Sequence, residues 1–185
     1  LNVSRLELGS IAIEPEPLHI PDVADGVLNE LAPAFGEKEI YISKEYDENI
    51  PPISADPKLT QAIFRNLLSN ALKYTPSKGK VTISIKKEEN NISVKVLDTG
   101  IGIPENDQSK VFTKFFRAEN ALTKVPDGSG LGLALVKDLV EKWGGTIRFE
   151  TVEGEGTTFI FTIPLSGENS VEGNHETSEQ APVAE

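Results

Sequence analysis

The sequence contains no cysteine and no methionine. Without cysteine there can be no disulfide, no thiol nucleophile and no thiolate metal site. The two histidines are too few for a histidine-rich metal centre. A chain without methionine, even at its first position, reads as a piece cut from a longer protein. No apolar run approaches the roughly 18 residues of a spanning helix, and no signal-peptide pattern opens the chain. Positive charge is also scarce, with 18 Lys and Arg against 29 Asp and Glu and a net charge of −11. That balance argues against general binding to nucleic acid or to an anionic membrane surface. A chain of 185 residues is long enough for one domain that buries its own core without covalent staples.

The charge is unevenly spread. Residues 166–185 hold five glutamates, no Lys or Arg and no aromatic residue, which leaves −6 on residues 1–165. Such a tail has too little apolar surface to pack and is expected to be disordered. At the other end, Leu1, Val3, Leu6 and Leu8 recur at helical spacing before Gly9, as in the last turns of a helix that begins upstream. Pro15, Pro17 and Pro21 make residues 11–21 an extended linker or edge strand.

Between these ends the chain alternates. Asp22 is the expected cap of a helix through about Phe35, closed near Gly36, and residues 39–46 are expected as a strand. Asp56-Pro57 opens a helix to about Tyr74, with a capping carboxylate and proline in the first turn. Val81, Ile83 and Ile85 alternate with polar residues, as do Ile92, Val94 and Val96, so both segments are expected as half-buried strands. Residues 133–143 form an amphipathic helix ended by Gly144-Gly145. Residues 147–152 and 157–163 pair as a hairpin around Glu153-Gly154-Glu155-Gly156. The expected fold is α+β, a two-layer sandwich with helices on one face of a mixed sheet.

Four places depart from this pattern. On the helix from Asp56, the stripe through Leu59, Ala62 and Ile63 continues into Asn66, Asn70 and Lys73, so an apolar face turns polar without changing direction. Two readings fit: a helix end emerging into solvent, or a polar ligand over the helix. Amide oxygen suits Mg²⁺ and an ammonium suits phosphate. Asp98 shares the parity of Ile92, Val94 and Val96, so its carboxylate points to the core side. It either caps a turn or accepts a hydrogen bond from an amine such as that of adenine, and Gly100 and Gly102 behind it leave room for a flat ligand. Asp127-Gly128-Ser129-Gly130-Leu131-Gly132 runs into the Leu133 helix, where backbone N–H groups can face phosphate. It matches neither the dinucleotide fingerprint nor a Walker loop. Thr157 turns a hydroxyl to the core side, which suits either an ordinary strand former or a site residue.

Taken together, and in order, N-L-L-S-N-A-L-K-Y-T-P, D-T-G-I-G-I-P, V-F-T-K-F-F-R, G-S-G-L-G-L and G-E-G-T-T-F resemble the N, G1, F, G2 and G3 boxes of sensor histidine kinases. The resemblance is to their catalytic, ATP-binding domain, within the gyrase–Hsp90–histidine kinase–MutL superfamily. It covers about residues 11–165, with residues 1–10 similar to the end of the dimerisation and phosphoacceptor helix and residues 166–185 as the acidic tail.

The resemblance implies roles. Asn70 would hold Mg²⁺ on the phosphates with Asn66 beside it, Lys73 and Arg117 would contact phosphate, and Tyr74 would pack on the nucleotide. Asp98 would bond the adenine amine, Thr157 would support it through a water, and Gly100, Gly102 and Ile103 would shape the pocket. Phe112, Phe115 and Phe116 would anchor a lid of residues 118–129, mobile without ligand. Gly128, Gly130, Leu131 and Gly132 would turn that lid into the helix under the phosphates. The implied cofactors are ATP and Mg²⁺. The implied partners are the protein's own phosphoacceptor domain and the receiver domain of a response regulator, with a monomer expected for this piece and a homodimer for the whole. A cytoplasmic setting is implied, with no membrane contact by this piece.

Two departures narrow the expectation. The superfamily's ATPases carry a glutamate where this chain has Asn66, an amide that cannot take a proton from water, so transfer to a protein nucleophile is expected over hydrolysis. Neither His19, in a linker, nor His175, in the tail, has the helical setting of the family's phosphoacceptor. Kinase chemistry on an acceptor elsewhere is the expected activity. A Ser/Thr kinase of anti-sigma type or a nucleotide-binding docking module are the rivals with the same fold.

Overall fold

The computed structural model describes residues 14–126 and 128–165. The helix end expected before Gly9, the acidic tail and Asp127 lie outside the described residues. In chain order the elements are β1 (Glu16–Leu18), α1 (Ile20–Glu37), β2 (Tyr41–Tyr46), β3 (Ile53–Ala55), α2 (Pro57–Tyr74), β4 (Lys80–Lys87), β5 (Asn91–Asp98), α3 (Glu105–Gln108), α4 (Glu119–Lys124), α5 (Gly132–Lys142), β6 (Ile147–Val152) and β7 (Gly156–Pro164).

Five strands make one mixed sheet in the order β2-β4-β5-β7-β6, parallel at β2–β4 and antiparallel elsewhere. β1 and β3 pair separately, antiparallel. The helices pack on one side: α1 lies on α2, and α2 lies on both α5 and β5. This is the α+β sandwich expected from the alternation of strands and helices.

The core sits where the α2 stripe meets the inward residues of the sheet. Ile63, Phe64, Leu67 and Leu68 of α2 are buried against a layer that includes Val81, Ile83, Ile85, Ile92, Val94 and Phe161. Phe64 and Phe161 meet edge to face with ring centroids 5.8 Å apart. α2 begins as its sequence demands: Asp56 caps it by accepting from the Leu59 N–H at 3.0 Å, and Pro57 fills the first turn, where a missing N–H costs nothing.

Three expectations need correction. α1 starts at Ile20 with His19 as its N-cap, so Pro21 belongs to the helix and not to the linker, and Asp22 is a first-turn acid, not the cap. Proline's fixed φ suits a first turn, and a carboxylate there faces the positive end of the helix dipole. The helix also runs through Pro33 to Glu37, past the expected close at Gly36. Second, β4 is not half-buried: Thr82 and Ser84 are buried as well as the aliphatic residues. They are short side chains on a central strand, flanked in register by the longer Leu97 and Lys95. Third, β3 was not expected; it exists because Ile53 and Ala55 find partners in Leu18 and Glu16.

The Phe64–Phe161 contact joins the helix layer to the sheet, so Phe64→Ala should destabilise the fold by about 3–5 kcal/mol. Urea unfolding followed by circular dichroism checks this; a loss below about 1 kcal/mol would show that the two layers are joined elsewhere.

Candidate functional site

The polar end of α2 forms one wall of a cleft. Asn66, Asn70, Lys73 and Tyr74 all line it, as the continued stripe requires. The Asn66 amide N–H donates to the Ala62 carbonyl at 2.8 Å, one turn back, which fixes which end of the amide is nitrogen. Its oxygen then faces Gly132, where an added Cβ would come within 2.5 Å of it. The first residue of α5 therefore sits close against α2 because it has no side chain.

Asp98, at the end of β5, lies at the cleft floor and is buried. Its Oδ1 accepts the Gly100 N–H at 2.8 Å. Burial pushes its carboxyl up from the ordinary value of 3.8 to about 6, against the opposing pull of backbone N–H groups of Gly100 and Thr157. Desolvation of the charged form wins over two donors that stabilise it. The surroundings leave no room for side chains. A Cβ at Gly100 would stand 2.5 Å from the Asp98 carboxylate, and one at Gly156 would stand 2.0 Å from the Asp98 carbonyl. Gly102 has φ +63 and would place a Cβ 2.1 Å from the Val152 carbonyl, so both its conformation and its contact demand glycine.

Thr157 is the direct cross-strand partner of Asp98. Its hydroxyl lies 3.0 Å from that of Thr151, which donates to the Gly156 carbonyl at 2.9 Å and accepts the Ile103 N–H at 3.0 Å. The floor is thus stitched to the β6–β7 hairpin.

The far wall comes from the segment after Val111. Phe112 packs with Phe149 and Phe159 at centroid separations of 5.8 and 6.5 Å, an aromatic anchor at its base. Phe116 lines the cleft. Phe115 does not join them as expected: it is 70% exposed, with φ 64. Its N–H donates to the Gly130 carbonyl at 3.0 Å, and that close backbone contact turns its side chain outward. The Arg117 guanidinium lines the cleft but is engaged by backbone carbonyls, with Pro126 at 2.7 Å, Ala121 and Gly128 at 3.4 Å and a further short contact to Val125. The segment expected as a lid contains the helix α4, which its composition did not announce.

The cleft encloses about 1060 Å³, solvent at its mouth included. Of the residues singled out in the sequence, Asn66, Asn70, Lys73, Tyr74, Asp98, Gly102, Ile103, Arg117, Gly128, Gly130, Gly132 and Thr157 line it. Gly100 stands behind Asp98, and Leu131 is the N-cap of α5; neither is a lining residue. Ser69, Val111, Asn120, Leu133 and Phe159 line it without having been singled out as site residues. Ser69 and Phe159 were within reach of the sequence, since they share quoted motifs with Asn70 and Thr157; Asn120 carried no signal. Among the described residues no group of three or more His, Asp or Glu could hold a metal ion. A cation here would draw on amide oxygens and on its ligand's own oxygens.

A family model described as histidine kinase-, DNA gyrase B-, and HSP90-like ATPase matches residues 55–167. The circadian input-output histidine kinase CikA of Synechococcus elongatus is 37% identical over 166 residues, 89% of this chain but 22% of its own length. The catalytic domain of histidine kinase ThkA superposes with a TM-score of 0.73 at 27% identity, covering 83% of this chain and 99% of that domain. Full-length ShkA, solved in complex with AMPPNP, gives a TM-score of 0.76 at 27% identity over 90% of this chain and 34% of that one.

The raised carboxyl of Asp98 has a consequence for stability. Between about pH 4 and 6 the folded chain holds a proton that the unfolded chain has released, so this group's contribution falls as pH rises through that window. The total is on the order of 3 kcal/mol. Carboxyl-carbon NMR should titrate Asp98 near 6, and Asp98→Asn should flatten this part of the stability profile. A midpoint below 4.5 would contradict the burial argument.

Proposed function

We propose that the chain, which belongs to the histidine kinase-, DNA gyrase B- and HSP90-like ATPase family, is the ATP-binding catalytic part of a sensor histidine kinase. The observation that carries this reading is one cleft with a buried acceptor carboxylate at its floor and amides, an ammonium and a glycine-rich helix start around its mouth. That layout suits a ligand with a flat amine-bearing base at one end and phosphates at the other.

In this reading Asp98 accepts the exocyclic amine of adenine, Thr157 supports it, and Gly100, Gly102 and Ile103 leave space for the ring. Tyr74 packs on the nucleotide. Lys73 and Arg117 meet the phosphates, and Gly128, Gly130, Leu131 and Gly132 turn the chain so that the N-terminus of α5 points at them. Arg117 would exchange its backbone carbonyls for phosphate oxygens. The donor set fits Mg²⁺: Asn70, with Asn66 beside it, supplies hard amide oxygen, and this ion takes one or two protein ligands and completes its shell from phosphate and water. When bound, it neutralises charge on the phosphates.

Such transfer is mostly positioning and charge stabilisation. Asn66 uses its N–H on the Ala62 carbonyl and offers no carboxylate base at this position, so attack by water is expected to be slow. An imidazole brought by the protein's own phosphoacceptor domain would then receive the γ-phosphoryl group and pass it to a response regulator. We do not assign that role to His19, which occupies the N-cap position of α1 without a side-chain capping bond, its ring nitrogen 3.1 Å from the Asp22 carboxylate. No described helix is long and apolar enough to cross a membrane; we assign the domain to the cytoplasm, as part of a homodimer when whole.

Calorimetry tests the reading. Mg-ATP should bind at least tenfold more tightly than Mg-GTP, because guanine sets a carbonyl against the Asp98 acceptor. Asn70→Ala should remove the Mg²⁺-dependent part of the affinity. Equal affinity for the two nucleotides would sink the assignment of Asp98. Incubated alone with labelled ATP, the chain should carry no phosphohistidine; robust labelling at His19 that survives Asn70→Ala would overturn the kinase reading.

A further inference from the structure

Among the described residues the lid helix α4 is hydrogen-bonded to the cleft floor through the Asn120 side chain, and we propose that this attachment is a latch: Asn120 is a positioning residue that holds α4 against Gly102 and slows the departure of bound nucleotide. The retention half of this proposal rests on the nucleotide-binding reading above.

The Asn120 amide N–H donates to the Gly102 carbonyl at 3.0 Å and reaches the Ile101 carbonyl at 3.5 Å. The turn it grips is a fixed post. Gly154 donates to the Ile101 carbonyl at 2.8 Å, Ile103 donates to the Thr151 hydroxyl at 3.0 Å, and Gly102 is pressed against the Val152 backbone. α4 itself is lightly held. It has no buried residue, and Leu122 is half exposed. Its other moorings among the described residues are the Glu119 N–H on the Asp107 carboxylate at 2.9 Å and the Arg117 guanidinium, which donates to the Ala121 carbonyl within α4 at 3.4 Å and to the Pro126 carbonyl beyond it at 2.7 Å. A segment with so little apolar burial opens at low cost, so a single hydrogen bond to a rigid partner has a large effect on it.

The geometry also fixes the sense of the bond. Flipping the amide would set its oxygen against two carbonyl oxygens, so nitrogen must face Gly102. The Asn120 oxygen is then buried with no hydrogen-bond partner among the described residues. A docked state that leaves an acceptor unpaired is easy to leave. The latch closes the lid but does not lock it.

The test begins without nucleotide. Hydrogen exchange is compared in the unaltered chain, Asn120→Asp and Asn120→Ala. Aspartate matches asparagine in size and suits a helix first turn, yet offers only acceptors to the two carbonyls. If Asn120 is a latch, the amides that close α4 at its two ends, Leu122 bonded to the Ala118 carbonyl and the C-cap Val125 bonded to the Ala121 carbonyl, should exchange about 3- to 10-fold faster in both variants. Unchanged exchange in both, or loss in alanine alone, overturns the latch, the second outcome meaning that the side chain only fills space. A second arm uses a fluorescent ATP analogue and Asn120→Ala, which adds no charge near the phosphates. Its off-rate should rise by a similar factor; faster exchange with an unchanged off-rate overturns the retention role. Failure of the unaltered chain to bind the analogue would refute the proposed function instead, and the exchange arm would still decide the latch.

Discussion

Helix α2 carries the polar wall of the cleft, and everything else in the site is placed relative to it. It is held at both ends by a charged group: its own N-cap carboxylate, which also ties down a distant backbone, and an ammonium from α1's C-terminal flank. At its start, the two oxygens of the buried Asp56 carboxylate divide their work: one accepts the Leu59 N–H and the other the Glu14 N–H, each at 3.0 Å. At its end, the Lys38 ammonium donates to the carbonyls of Leu72 and Thr75 at 2.7 Å and of Lys73 at 3.3 Å. These carbonyls lack partners within the helix, and the positive charge complements the dipole. Desolvation lowers the Lys38 pKa below the ordinary lysine value, the cost of placing the ammonium there. A rod clamped this way presents Asn66, Asn70 and Lys73 at fixed heights.

The floor is built on the opposite principle. Where α2 is fixed by added groups, the turns around Asp98 are fixed by the removal of side chains, because backbone approaches backbone at Gly100, Gly102 and Gly156. The result is a carboxylate with little water around it, whose charge costs free energy in the folded chain. Local rules of stability are broken here and the cleft is the gain.

How far the sequence could be read follows from which forces are local. The Asp56-Pro57 start, the alternation over Val94–Asp98 in β5 and the Glu153-Gly154-Glu155 hairpin depend on neighbours along the chain, and they form as their residues dictate; the buried Ser93 breaks the alternation earlier in β5. The start of α1, the strand β3 and the buried Thr82 and Ser84 depend on residues far away in sequence, so no local pattern announced them. The site was legible because its residues come in five ordered motifs. Tyr74 and Arg117 became visible through the family resemblance, not through spacing. Phe115 and Asn120 escaped for the same reason as each other: their orientation is set by backbone carbonyls, of Gly130 and of Gly102, on other segments.

The pairing of β5 with β7 sets Asp98 opposite Thr157 and Val96 opposite Phe159. Side chains alternate faces along a strand, so the same register decides both the core and the site. One residue inserted into or deleted from β7 before Phe161 would turn part of the strand over, moving either Thr157 or the aromatic residues to the wrong face. Length changes in this half of the chain are therefore confined to turns, and the exposed one at residues 153–155 is itself tethered where Gly154 donates to the Ile101 carbonyl. A lineage carrying this fold can change the exposed side chains of its hairpin tip, but a single-codon gain or loss within the strand removes cleft and core together.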